Sequence, residues 1–286
     1  MVKHLLFSFA AILLFTCAKP ISNELTLKVA TFNLRYNNPA DNENAWPNRK
    51  GIAADFITKQ GLDIFGIQEG LHGQLMDIKS MTSDYEFIGV GRTDGNEKGE
   101  YTAIFYNKTK FKPIASNTFW LNSDTAAVGI KGWDAAIERI VTWALMEEIE
   151  TGKRFYFFNT HFDHKGKEAR EKSAELLISK VKEKGTQYPV IVTGDFNSRP
   201  ESIVYTTLTK AAGTPLIDSR SIAQKISGPT WTAHSFGKTP MEQRPIIDYV
   251  FVSNQIIVTN YESCFEDHNG VYLSDHNPVV VTLKAK

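Results

Sequence analysis

The sequence predicts a layered α/β fold in which buried sheets are covered by helices, and three observations predict it. Short β-rich runs alternate with helical stretches from Leu25 onward. Several of the β-rich runs are apolar at successive positions rather than at every second one, as strands buried on both faces are. No low-complexity segment, repeat or linker divides the chain, so residues 25–286 are expected to form a single domain.

In chain order the expected strands are Thr26–Leu34, Asp63–Gln68, Glu86–Val90, Ala103–Tyr106, Ile140–Glu147, Arg154–Phe162, Val190–Thr193, Ile247–Val252 and Pro278–Leu283. Each is a run rich in β-branched or aromatic residues, most of them bounded by turn formers. The expected helices are Pro47–Lys59, with proline in its first turn, then Gly73–Met81, Glu168–Lys184 and a shorter one over Glu201–Lys210.

The first residues are set apart from this fold. Lys3 and His4 precede an apolar stretch from Leu5 to Phe15, too short for a lasting bilayer span but suited to the core of an export signal. Residues 1–18 are therefore expected to be a signal peptide or lipoprotein signal, and 19–24 a linker. Two processing sites compete. Leu14-Phe15-Thr16-Cys17 is similar to a bacterial lipobox, with Thr16 where a smaller residue is usual, and Thr16-Cys17-Ala18 suits ordinary signal cleavage. The first would tether the protein to a membrane through a lipidated Cys17; the second would release it to the periplasm or medium. The chain has only two cysteines, Cys17 and Cys264, so no disulfide framework is expected and stability must come from packing. Cys264 has no Cys-His motif around it and reads as a small packing residue.

Lys plus Arg and Asp plus Glu number 32 each, so no global positive field attracts long polyanions. Nucleic acid is not favoured as a partner on this ground, although a local basic groove can hide in a neutral total. No protein partner is implied.

The chemistry lies at the strand ends. "TFNLR" puts Asn33 at the end of the first strand and "GIQEG" puts Glu69 at the end of the second. "NTHFDH" gathers Asn159, His161, Asp163 and His164, and "TGDFNS" brings Asp195 and Asn197. "IIDYVF" sets Asp248 inside an otherwise apolar strand, where a carboxylate is costly unless paired, and "SDHNP" supplies Asp275 and His276 before the last strand. One such residue would be read as a turn or cap side chain. A series of them reads as a site. Carboxylate and amide oxygens suit Mg2+ or Mn2+ and leave room for water and a phosphate oxygen, while histidines supply acid, base or hydrogen-bond help near neutral pH. This is an inventory for attack of water on a phosphoester.

The ordered set of "QE", "GDFN", "DY" and "SDH" resembles the endonuclease/exonuclease/phosphatase superfamily, the deoxyribonuclease I-like metal-dependent phosphoesterases, over nearly the whole span from Asn33 to His276. The resemblance implies a four-layer α/β sandwich, two mixed β-sheets packed face to face with helices outside, and a site where the strand-end loops meet. It also implies roles. Glu69 would be the principal metal ligand with Asn33 beside it and Asp275 helping. Asp195 would orient or deprotonate the attacking water, Asn197 would bind a phosphate oxygen, and His161 would stabilise charge developing on phosphorus. His276, oriented by Asp248, would hold the phosphate or act in acid-base chemistry.

Flanking motifs add candidate substrate contacts. Arg92 and Glu100 stand in "VGRTDGNEKGEY", with Arg92 suited to a phosphate or second anionic group, and Trp46 and Arg49 in "NAWPNRK" would form a substrate wall. Asp163 and His164 complete the set. A solvated loop arginine and a hydrophobic staple are the structural alternatives for Arg92 and Trp46.

"NTHFDH" differs by one residue from the zinc motif of the metallo-β-lactamase fold. Asn159 replaces its first histidine and no later histidine pair follows, so a dinuclear zinc site would lack ligands. The expectation is an exported hydrolase of a small or lipid-like phosphoester. The alternatives are a secreted nuclease acting on DNA or RNA and an inactive ligand-binding protein on the same fold.

Overall fold

The computed structural model describes residues 24–285 apart from 186, 211, 214 and 215, so the expected signal segment and Cys17 lie outside the described residues. The strands are β1 (Leu25–Asn33), β2 (Ile64–Gln68), β3 (Tyr85–Ile88), β4 (Thr102–Asn107), β5 (Phe111–Trp120), β6 (Ile140–Glu148), β7 (Arg154–His161), β8 (Val190–Asp195), β9 (Ile217–Asp218), β10 (Lys225–Ser227), β11 (Asp248–Val252), β12 (Ile256–Ser263), β13 (Asp267–His268), β14 (Val271–Tyr272) and β15 (Val279–Ala285). The helices are α1 (Trp46–Gln60), α2 (His72–Met81), α3 (Lys167–Glu183), α4 (Ile203–Lys210) and the single-turn α5 (Ser219–Ile222).

Two mixed sheets carry the fold, ordered β10-β12-β15-β1-β2-β4-β3 and β5-β6-β7-β8-β11-β9, with β13 and β14 forming a small hairpin. Parallel pairing joins β1 to β2, β7 to β8 and β10 to β12; the other pairs are antiparallel. Three apolar clusters explain why strands are buried on both faces. Leu27, Val29, Met146, Phe157, Ile191, Val250 and Val281 fill the space between the sheets. Phe32, Phe65 and Phe105 pack outward against Phe56, Ile57 and Leu75 of α1 and α2. Phe158, Val192 and Phe251 pack outward against Leu177, Val181 and Leu208 of α3 and α4. The order helix, sheet, sheet, helix is the four-layer sandwich that the resemblance implies.

Period-two alternation then places the site. In β1 the inward series Leu27, Val29, Thr31 and Asn33 turns from apolar to polar toward the strand's end. The same change runs through Phe157, Asn159 and His161 of β7 and Ile191, Thr193 and Asp195 of β8, and it appears at Asp248, the first residue of β11. Register aligns the polar ends, with Asn33 opposite Gln68, His161 opposite Asp195 and Asp195 opposite Asp248. One end of the inter-sheet layer is therefore oil and the other is a cluster of hydrogen-bonding side chains.

Just inside that cluster, Asn159 does structural work. Its amide nitrogen donates to the carbonyls of Ile67 and Ala103, and its oxygen accepts from Gln68 and Thr193, which ties the two sheets together. Gly66 makes room for it, since a side chain there would overlap the Asn159 amide.

Candidate active site

Asp195 stands at the centre. It is 2% exposed, its Oδ1 accepts the Asn197 backbone N–H at 2.9 Å, and its Oδ2 accepts from the Asn33 amide nitrogen at 3.0 Å. Burial, reinforced by the nearby Asp248 charge, pushes its carboxyl up to about 7. His276 Nδ1 donates to Asp248 Oδ2 at 2.9 Å and lies 3.8 Å from Asp195 Oδ2. Burial alone would push the imidazole down, but Asp248, Asp195 and Asp275 more than offset it and hold His276 well above its ordinary value.

Glu69 follows β2 in a left-handed backbone conformation, φ 63°, which a glutamate adopts only when its surroundings fix it. Its Oε1 accepts from the Asn33 amide nitrogen at 3.1 Å and its Oε2 from the Tyr36 backbone N–H at 3.2 Å. Asp275 lies 3.8 Å from Arg35 Nε; burial first, and the Glu69 charge as well, push its carboxyl up. Burial and the Glu69 charge both disfavour an ionised Asp275, and a hard divalent cation held by these carboxylate oxygens would relieve that. Asn33 stands beside Glu69, as expected, and reaches Asp195 as well. Its nitrogen bridges Glu69 and Asp195, and its oxygen accepts the Arg35 backbone N–H at 3.0 Å.

Asp195, Asp248 and His276 also present donor atoms within 4.8 Å of one another. Among them His276 Nδ1 and Asp248 Oδ2 already face each other at 2.9 Å. Glu69 and Asp275 are a further pair of oxygen donors that could hold a cation.

His161 is held neutral, since burial and then the charges of Arg139 and Arg92 push it well below its ordinary value. The Asn197 amide nitrogen donates to the Phe162 carbonyl at 3.0 Å and lies 3.1 Å from His161 Nε2. Asn197 thus stands against His161, and it does so from a left-handed backbone, φ 46°.

The outer candidates divide. Arg92 and Glu100 do reach the His161 side, where with Arg139 they surround a cavity of about 10 Å3, but they form a bidentate ion pair at 2.7 and 2.9 Å and spend their charge on each other. Asp163 is 1% exposed and is a loop organiser, not a substrate contact. Its Oδ1 accepts the Lys165 and Gly166 N–H groups, and although burial opposes it, these bonds and Arg139 hold the carboxyl at about 2. His164 is exposed, with Nδ1 accepting from Arg139 at 3.1 Å.

Trp46 and Arg49 form no substrate wall. Trp46 is 3% exposed and donates to Asp77, while Arg49 is fully buried and donates to the carbonyls of Leu34, Arg35, Asn44 and Leu273. Burial pushes this guanidinium down to about 10. The burial of Arg49 is not marked in sequence because its four acceptors lie outside its own helix.

Sequence reasoning missed Arg35, Thr232 and His234. Arg35 pairs with Asp41 at 2.9 Å and faces Asp275, and its place two residues after Asn33 in "TFNLR" was an available signal. Thr232 Oγ1 accepts the backbone N–H groups of Ile247 and Asp248, fixing the start of β11. His234 is 2% exposed and its Nδ1 accepts the Gly237 N–H at 3.0 Å; nothing near it in sequence announces this. Cys264 is a buried thiol that burial pushes up, in keeping with a packing role.

A family model described as "Endonuclease/Exonuclease/phosphatase family" matches residues 30–276. Among solved structures, the chain is similar to an endonuclease/exonuclease/phosphatase from Bacteroides vulgatus, 42% identical with a TM-score of 0.89, over 92% of this chain and 100% of that one. It is also similar to a mannosyl-6-phosphatase of Bacteroides thetaiotaomicron, 36% identical with a TM-score of 0.83, over 90% of this chain and 99% of that one. An uncharacterized protein of Acanthamoeba polyphaga mimivirus is 27% identical over 254 residues, covering 84% of this chain and 92% of its own.

Proposed function

Because the chain belongs to the endonuclease/exonuclease/phosphatase family, we propose that it is an exported, divalent-metal-dependent hydrolase of a small phosphoester, and that the ester is the phosphomonoester of a sugar-like alcohol. The observation that carries the reading is the convergence of Asp195 with the Asp248–His276 pair beside Glu69 and Asp275 at one edge of the sandwich. Similarity to a mannosyl-6-phosphatase supports the sugar phosphate, and the balanced charge of the chain supports a small substrate over a long polyanion.

In this reading Asp195 takes the proton of the attacking water, and its raised carboxyl suits a base working near neutral pH. The protonated His276 donates toward a phosphoryl oxygen, with Asp248 holding its ring orientation and its charge. Mg2+ or Mn2+ bound by Glu69 and Asp275 would supply Lewis-acid polarisation of the phosphoryl group. Asn33 turns Glu69 and Asp195 toward a common point. Export is inferred from the apolar stretch after Lys3 and His4, with Cys17 as the lipid attachment site.

The test is a substrate panel with Mg2+ or Mn2+ containing sugar phosphates, inositol phosphates, sphingomyelin, p-nitrophenyl phosphate, bis-p-nitrophenyl phosphate, plasmid DNA and RNA. Release of inorganic phosphate from sugar phosphates is expected to dominate. Cleavage of DNA or RNA in preference to every small ester would overturn the reading.

A further inference from the structure

Beside the reacting centre, between the start of α3 and the segment leading into α4, lies a cavity of about 650 Å3. It reaches the centre through Asn197, which lines it and also holds His161. That volume is in the range of small-molecule sites and far exceeds what a phosphate group needs.

The charged groups in it are not in balance. Lys167 lies 3.8 Å from Glu171, which leaves Arg170 and Arg199 against Glu201. Arg170 is anchored by donating to the Asp163 carbonyl at 2.9 Å, and Arg199 by donating to the Gln243 carbonyl at 3.2 Å. Neither has a carboxylate within ion-pair distance among the described residues. Arg35, Arg92, Arg139 and Arg154 are each paired with one, whereas Arg49 and Arg244 are also held by backbone carbonyls but do not line this cavity. A guanidinium fixed by a neutral carbonyl keeps its charge and its other N–H groups for something else.

The helix end does not explain the site. The N–H groups of Glu168 and Ala169 in the first turn of α3 are already taken by the Asp134 carboxylate, so an anion there would be held by side chains. No aromatic ring among the described residues lines the cavity, so it offers no stacking surface for a nucleobase, whereas its charged groups and the Ser202 hydroxyl suit a ligand rich in hydroxyls.

We propose that this cavity is the subsite for the organic part of the substrate, and that it takes a hydroxyl-rich group carrying a second negative charge, bound by Arg170 and Arg199. The proposal rests on the phosphoesterase reading and narrows it, from a sugar-like phosphomonoester to one with a further phosphate or carboxylate.

The experiment uses p-nitrophenyl phosphate as reporter, which has no second anionic group, and measures competition by glucose 6-phosphate and fructose 1,6-bisphosphate. In the native protein the bisphosphate is expected to inhibit at a concentration about tenfold or more below that of glucose 6-phosphate. Arg199→Gln, and Arg170→Gln with Arg199→Gln, should each weaken bisphosphate inhibition by about tenfold or more relative to inhibition by glucose 6-phosphate. Because Arg199 is exposed, its single variant keeps the test valid if the double variant folds poorly. Equal inhibition by the two competitors, or bisphosphate inhibition unchanged in Arg199→Gln, overturns the subsite. If the reporter is not hydrolysed with Mg2+ or Mn2+, the phosphomonoesterase reading has failed. Thermal stabilisation by fructose 1,6-bisphosphate, compared between native protein and Arg199→Gln, then decides the subsite on its own.

Discussion

His276 Nδ1 lies 2.9 Å from Asp248 Oδ2, and the contact joins the two sheets at their polar end, since His276 leads into β15 and Asp248 begins β11. If the pair acts as one unit, Asp248→Asn should keep the fold and lower turnover, and His276→Ala should cost on the order of 10²–10⁴-fold. The double variant should then be little worse than His276→Ala alone. Additive losses, measured on protein with unchanged near-UV circular dichroism, would mean that the two residues work separately.

Chelation with EDTA should abolish activity, and Mg2+ or Mn2+ should restore it. Glu69→Gln removes a charge from the cation's ligand set and should weaken both turnover and the thermal stabilisation that Mg2+ confers. Asn33→Ala, which frees the Glu69 carboxylate from its partner, should cost on the order of ten- to hundredfold in apparent metal affinity. Full turnover after exhaustive chelation would remove the metal from the mechanism.

Burial, then the charges of His276 and Arg244, push His234 down from 6.5 to about 3. The folded state therefore refuses a proton that the unfolded chain accepts between those values. Stability should be unaffected by this group above pH 6.5 and should fall as pH drops below it, by about 1.4 kcal/mol per pH unit while the difference approaches one proton. Urea unfolding at a series of pH values should show a shallower acid slope in His234→Gln. An identical slope would locate the acid sensitivity elsewhere.

Arg49→Met should leave four backbone carbonyls without their donor and destabilise the protein by about 3 kcal/mol or more. Arg49→Lys should recover only part, because an ammonium lacks the planar fork that reaches several loops at once. A change below 1 kcal/mol in equilibrium unfolding, roughly what a surface substitution costs, would contradict the role assigned to this side chain.

Replacing Cys17 by serine should move the protein out of the membrane fraction without loss of catalytic activity, since β1 begins only at Leu25. Unchanged fractionation would exclude lipidation at this position as the anchor.

The strand-end series was legible in sequence because a local signal marked each member, a polar residue closing or interrupting an apolar run. The four longer helices were legible, α1 with the proline of its first turn, and the single-turn α5 was not. β5 was not, because Pro113, a register shift after it and an exposed middle hide its pattern at the sheet edge. β9, β10, β13 and β14 are only two or three residues long and depend on partners far along the chain. Side-chain commitments were hidden in the same way. That Asn197 meets His161 and Phe162 and that Arg49 is buried are decided by groups from other segments, and the Arg92–Glu100 pair by the folding of the loop between them.

In the first sheet β15 lies between β1 and β12, and Leu25 pairs with Ala285. A chain emerging from the ribosome therefore makes β1 long before, and β12 shortly before, the strand that separates them exists. Until Val279–Ala285 arrives, each of those two strands has a long unpaired edge, and the inward face that Val279, Val281 and Leu283 will cover is open. Folding should be slow and late, governed by closure of this very long loop, and loss of only the final strand should leave a product that aggregates rather than a smaller working enzyme.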